Sequence, residues 1–401
     1  VPRAGGPGGR SAPWPAEPSL LEQLLQVIPV PPGTTLTRTE LYSGFQRQNL
    51  RVFGNLTRPE GDARRKSAVI IIHPSSNFLG HPLLPALANR GIHALGLSTR
   101  YLQNDTTLIM ENCLLDLGAG VRWLKEQCGY EKVVLAGWSG GGALVCFYQS
   151  QAESPTVTQS PSGDPPDLTQ ADLPPADAVA TLAAHASRAK FLLGSIDPSV
   201  VDEQDPFRTD PQLDLYGGRH TPPFNPDWLA TYRAAQSARM ARITAWVKDQ
   251  LESLPDDVED RVFLTYRTMA DPRWLDPSLD PNDRAPNTCH LGEPRKANNL
   301  PTGLGRISTL RSWLSQWSAE DSNADAVSHA ARVSVPFLVV RNGADQACFP
   351  SDPDAVFAAV PHSDKQYVVV EGADHYYANQ PGKLDEAAGV IEGWLRDHSL
   401  A

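Results

Sequence analysis

The chain has 401 residues, a formal net charge of −11 and 41% hydrophobic residues, enough for one large globular domain with an insertion or for two domains. The acidic balance, with no basic stripe, argues against binding of nucleic acid or anionic membrane by bulk electrostatics. Five scattered cysteines, Cys113, Cys128, Cys146, Cys289 and Cys348, lack C-x-x-C spacing and read as reduced thiols in a reducing compartment rather than as a disulfide or zinc framework.

Residues 1–18 are rich in Gly and Pro, bury too little apolar area to offset ordering, and read as a flexible N-terminal segment. No stretch approaches the roughly 20 apolar residues that cross a bilayer. The start VPRAGGPGGRSAPWP has no apolar signal region. Cytoplasmic location is the expectation, although a first residue of Val leaves open an export signal already removed.

After the amphipathic stretch SLLEQLLQVI, alternation around ELYSG and NLRVFGNL predicts an antiparallel pair of strands. SAVIIIH is a continuous apolar run too short for a helix, and predicts a central strand covered on both faces. A helix around HPLLPALANRG, a strand IHALGL, a long helix from about Leu108 to Gly129, the strand KVVLAG and a helix after Ser139 follow. Such alternation means parallel strands joined by right-handed crossovers. Residues 151–175, rich in Pro, Ser and Thr, predict an exposed loop before the strand ADAVATLAA. The apolar runs PFLVVRNGAD and QYVVVEGADH come much later, and a helix from about Gly382 to Asp397 ends the chain.

The interruption, roughly His185 to Arg332, carries helical and aromatic signals. Asn225-Pro226 can start a helix, with proline where its missing N–H costs nothing. Trp228, Tyr232, Met240, Ile243, Trp246, Val247, Leu251 and Leu254 then recur at near-helical spacing, with Arg233, Arg239, Arg242 and Lys248 largely between them. That stripe reads first as packing. An all-helical insertion over the end of a parallel sheet is nonetheless positioned as a lid.

The segment VVLAGWSGGGALV places Ser139 in a Gly-x-Ser-x-Gly turn between a strand and a helix. Such a turn forces the serine into a strained backbone that exposes its hydroxyl, and the small residues Gly137 and Gly141 make room for it. The following helix N-terminus favours negative charge there. A phosphate-binding loop is disfavoured, because the GK[ST] ending and the GxGxxG spacing are both missing. A hydroxyl needs a base, and the base a carboxylate. Asp345 and His375, 30 residues apart, each follow a predicted strand at its carboxyl end, the edge where Ser139 also lies. Asp374, beside His375, reads as a turn residue. His73 and His81 suit a pocket or structural role, and His185, after the sixth strand, faces the same edge.

With VVLAGWSGGG, VVRNGADQACFP and VVVEGADHYY in place, the chain resembles an α/β-hydrolase fold serine hydrolase (esterase- or lactonase-like) with a large inserted cap. The resemblance covers about residues 34–150, 177–184 and 332–398. It implies an α/β architecture, a mostly parallel central sheet with helices on both faces, whose core spans 19–184 and 333–401 and whose mainly helical cap spans 185–332. It also implies a catalytic triad of Ser139, Asp345 and His375 and no metal or organic cofactor. In AVIIIHPSSNF, Pro74 stands where this family often has glycine in its oxyanion loop. Proline cannot donate, so the oxyanion donors expected are the N–H of Ser75 or Ser76 with that of Gly140. Asn77, Phe78, Trp138, His185 and Tyr376 are the candidate substrate contacts.

The expected reaction is hydrolysis of a small-molecule carboxylic ester or lactone through an acyl-enzyme. The aromatic-rich insertion and Trp138 favour an apolar or aromatic group. A serine at the nucleophile position disfavours the usual dehalogenase and epoxide hydrolase chemistry. Amidase, C–C bond hydrolase and acyltransferase activities remain as alternatives on the same groups, as does a ligand-binding protein on the hydrolase scaffold, against which the intact triad counts. Nothing in the sequence selects or excludes a homodimer.

Overall fold

The computed structural model describes residues 34–37, 51–59 and 66–401. The segment 1–18, SLLEQLLQVI and ELYSG lie outside these residues. The described residues hold ten strands in chain order: β1 (Thr34–Thr37), β2 (Arg51–Thr57), β3 (Ser67–Ile72), β4 (His93–Leu97), β5 (Lys132–Trp138), β6 (Ala178–Leu182), β7 (Val262–Leu264), β8 (Ile307–Thr309), β9 (Phe337–Asn342) and β10 (Lys365–Val370). Eight form one sheet in the order β1-β2-β4-β3-β5-β6-β9-β10. The antiparallel contacts are β1 with β2 and β2 with β4; every other pairing in that sheet is parallel. The partner of NLRVFGNL is therefore Thr34–Thr37 on one side.

The helices are α1 (Leu83–Ala88), α2 (Met110–Arg122), α3 (Gly141–Glu153), α4 (Arg188–Ser195), α5 (Pro226–Glu252), α6 (Pro294–Asn298), α7 (Leu310–Ser312), α8 (Ala326–Ala330), α9 (Ser351–Ala359) and α10 (Pro381–Asp397). A π turn, Trp123–Gln127, prolongs α2 toward its expected end. Period-two alternation explains the continuous apolar run of β3. Ala68, Ile70 and Ile72 join a core with α2, α3 and α8, whereas Val69 and Ile71 join one with α1 and α10. Both faces are buried, so beyond Ser67 at its start the strand carries only apolar residues.

Of residues 151–175, the first three complete α3 and Leu168–Gln170 make a short 3-10 turn; the rest are irregular, as expected, but not simply exposed. Leu168 and Leu173 are buried, the Tyr148 hydroxyl donates to Pro174 O (2.6 Å), and the Gln151 side chain accepts from Thr156 N (2.8 Å). Two leucines and the polar face of α3 hold down a segment whose composition reads as free loop.

Between β6 and β9 the chain adds its own packing units. Asn225 caps α5 by accepting from Asp227 N and Trp228 N, with Pro226 at the first turn. Tyr232, Met240, Ile243 and Val247 are buried, and Leu192, Trp313 and Trp317 pack with the last three of them. The short pair β7–β8 adds strand to this largely helical and irregular region. Two residues depart from the predicted stripe: Trp246, an expected packing position, is exposed, and Arg239, which falls between the apolar positions, is not. Arg239 is fully buried, pairing with Glu203 (2.8 and 2.6 Å) and donating to the carbonyls of Asp197, Tyr266 and Arg267. Irregular backbone leaves carbonyls without ladder partners, and the guanidinium supplies the donors.

Arg239→Met should therefore destabilise the chain by about 3 kcal/mol, because it strands several buried acceptors at once. Urea unfolding measures this; a loss under about 1 kcal/mol would show that the carbonyls find other donors.

Candidate active site

Ser139 follows β5 directly and has φ +53°, left-handed backbone that a non-glycine residue rarely adopts. Its N–H donates to Leu182 O (3.0 Å) and its carbonyl accepts from Gly142 N (3.1 Å), which holds the turn. The neighbouring glycines are steric necessities. A Cβ at Gly137 would lie 2.1 Å from Gly141 O, and one at Gly141 would lie 2.1 Å from Ile72 O. Helix α3 thus starts in contact with the ends of β3 and β5, and Ser139 stands at the crossing.

Asp345 and His375 follow β9 and β10. His375 Nδ1 lies 3.1 and 3.0 Å from the Asp345 carboxylate oxygens. Asp345 Oδ1 also accepts from Ala347 N (2.7 Å) and Cys348 N (2.8 Å), so the acid is fixed and charged donors are unnecessary. The two loops are tied together: Asn342 Nδ2 donates to Asp374 O (2.7 Å) and its Oδ1 accepts from the Tyr377 hydroxyl (2.8 Å). Asp374 is the turn residue expected, accepting from Tyr376 N and Ala378 N.

Ser139 and His375 line one cavity of about 510 Å³, together with Ser75, Ser76, Asn77, Phe78, Trp138, His185 and Tyr376. Every proposed substrate contact is thus brought to it. Asp345 stands behind His375, wholly buried. Residues of the wall that were not foreseen include Asp105, Arg188, Phe191, His290, Leu291, Leu304 and Trp317. All but Asp105 come from the region between β6 and β9, where no strand-end rule marks a position; Arg188, three residues past His185, was the one within reach of such reasoning.

The oxyanion expectation needs correction. The N–H groups of Ser75 (3.1 Å) and Ser76 (2.9 Å) both point at His73 Nδ1. They are engaged there and do not face an incoming oxygen. Accepting them obliges His73 to carry its proton on Nε2, and burial and the nearby Arg188 push its pKa well below the ordinary value, keeping it neutral. That Nε2 would sit 3.0 Å from a Cβ placed on Gly140, so it lies beside the first residue after the serine.

No family model matches the chain, and no curated protein matches it. Solved structures similar to it include the esterase domain of a Rhodothermus marinus protein, at 14% identity and a TM-score of 0.45, covering 91% of this chain and 98% of that one. Est1E from Butyrivibrio proteoclasticus is 12% identical with a TM-score of 0.46, covering 88% and 96%. The hypothetical protein PA2218 from Pseudomonas aeruginosa is 13% identical with a TM-score of 0.49, covering 90% and 94%. Such values transfer no residue and no substrate. What decides the fold is the strand order, the elbow after β5 and the crossovers on both faces. The chain has the α/β-hydrolase fold.

Ligand atoms of Asp345, Cys348 and His375 lie within 4.8 Å of one another, the one such trio among the described residues. The carboxylate is already committed to three donors, and burial raises the Cys348 thiol well above its ordinary pKa, so the trio offers a metal little. All five cysteines are free, and no helix among the described residues is long and apolar enough to cross a membrane.

Burial lowers His185 and His290 from 6.5 to about 3. Their folded pKa lies below the unfolded one, so unfolding takes up protons as pH falls from 6.5 towards 3, and stability is lost across that window. Each such histidine contributes a slope of about 1.4 kcal/mol per pH unit. Urea unfolding of His290→Gln between pH 6 and 5 should show a slope flatter than wild type by about 1 kcal/mol per unit; equal slopes would mean that His290 is not buried neutral.

Proposed function

We propose that the protein is a serine hydrolase that cleaves a carboxylic ester or lactone bearing an apolar or aromatic group, through an acyl-enzyme on Ser139. The supporting observation is the combination of a strained serine and a buried His375, backed by Asp345, on the wall of one cavity. In this reading Ser139 Oγ attacks the acyl carbonyl while His375 Nε2 takes its proton. Asp345, accepting from Nδ1–H, keeps the imidazole in the tautomer that leaves Nε2 free, and stabilises the imidazolium that forms. The proton then passes to the departing alkoxide. Water, deprotonated by the same histidine, attacks the acyl-enzyme and releases the acid.

Negative charge on the carbonyl oxygen goes to the Gly140 N–H, at the start of α3, and to His73 Nε2–H beside it. The Ser75 and Ser76 amides act through His73 by setting its tautomer. A neutral imidazole suits this role, since it donates without moving its own proton. Residues 185–332 serve as the cap. They contribute Phe191, Leu291, Leu304 and Trp317 to the wall, which Phe78 and Trp138 also line, and this favours an apolar or aromatic group near the scissile bond. An amide or thioester carbonyl would meet the same groups.

With 4-nitrophenyl butyrate, Ser139→Ala should fall to background, and Asp345→Asn should lose about 10,000-fold in kcat. His73→Phe should lose about 100-fold in kcat with KM nearly unchanged, the pattern of a donor that acts in the transition state. Full activity in Ser139→Ala would end the serine reading; unchanged kcat in His73→Phe would return the oxyanion to main-chain donors.

A further inference from the structure

Five arginines are almost wholly inside the described part of the molecule: Arg100, Arg188, Arg239, Arg284 and Arg306. Four are well supplied with acceptors. Arg239 has Glu203 and three carbonyls. Arg284 reaches the carbonyls of Arg273, Leu279 and Asp280. Arg306 reaches Thr268 Oγ1 and the carbonyls of Ala297 and Asn298. Arg100 grips Asp116 through two nitrogens.

Arg188 differs. It is 4% exposed, and the hydrogen bond of its guanidinium is a single one, Nη2 to Asp105 Oδ2 at 2.6 Å. Among the described residues its Nε has no partner. Of the five it is the one that lines the cavity containing Ser139. Its position is fixed: the guanidinium carbon lies 4.4 Å from the centre of the Trp317 ring, and the Asp105 carbonyl that backs its ion partner accepts from Gln316 Nε2 (2.7 Å). The imidazoles of His185 and His290 are held neutral by burial, so they do not share its charge. A buried cation with unused donors on a substrate-sized cavity lacks an acceptor that a ligand can bring.

We infer that Arg188 is the docking point for a carboxylate on the substrate, one that is not itself cleaved. This rests on the serine hydrolase reading for its meaning as substrate recognition, though the docking itself needs no catalysis. The substrates preferred are then half-esters of dicarboxylic acids, or esters and lactones carrying a free acid. A monoanion fits better than a phosphate dianion, because Asp105 already offsets part of the arginine's charge and no second cation stands beside it on the wall.

The test is calorimetric binding to the Ser139→Ala protein, comparing monobenzyl succinate and monobenzyl glutarate with the uncharged benzyl butyrate and benzyl valerate. At least one half-ester should bind about 30-fold more tightly than its uncharged counterpart, as a hydrogen bond to a charged group allows. In Ser139→Ala/Arg188→Met that preference should collapse to parity. Equal binding of charged and uncharged esters, binding of neither, or a preference that survives Arg188→Met would overturn the inference. The ligand comparison in Ser139→Ala stands alone should the double variant fail to fold. The carboxylate preference in Ser139→Ala, together with a wild-type protein that cleaves no ester and takes up no acyl group on Ser139, would defeat the hydrolase reading and leave the carboxylate site intact.

Discussion

The approach of main chain to main chain beneath Ser139 governs what this molecule can do. Gly141 passes Ile72 O so closely that a methyl group would lie 2.1 Å from it, and Gly137 passes Gly141 O at the same hypothetical distance. Helix α3 can begin there only because both residues lack Cβ. Three consequences follow from that one contact. The serine is held at positive φ, the helix N-terminus lies under the site, and the residue after Ile72, His73, is carried against Gly140. The elbow and the proposed side-chain oxyanion donor therefore have a single steric origin.

The region between β6 and β9 is organised differently. The sheet is covered by aliphatic side chains on both faces, whereas this region holds its irregular stretches with buried arginines that donate to carbonyls. Each saturated guanidinium replaces a missing ladder of backbone bonds. Against that background an arginine left short of acceptors on the cavity wall stands apart, and its spare donors are chemically available to a ligand.

The sheet was legible in the sequence because its strands obey period two or run wholly apolar: SAVIIIH, KVVLAG and VVVEGA each announce a strand without help from the rest of the chain. The triad followed from position, since strand carboxyl ends define one edge. Ser75 and Ser76 failed as oxyanion donors for a reason invisible in a linear chain: an imidazole two or three residues earlier turns back and takes both amides. Helical spacing places Arg239 between the apolar positions of the stripe, and no periodicity reports that a loop carrying Glu203 will close over it. His290 reaches the cavity from irregular chain, where neither spacing nor propensity carries a signal, whereas Arg188 opens α4 just past the end of β6 and only its nearness to His185 hinted at it.

The claim that most of this account depends on is that the hydroxyl of Ser139 is the activated nucleophile of the cavity. Reaction with a fluorophosphonate followed by peptide mass spectrometry tests it most directly. The account predicts one phosphonyl group per chain on the peptide containing Ser139, abolished in Ser139→Ala and strongly slowed in His375→Gln. An unmodified protein, or a label on another residue such as Cys348, would contradict it.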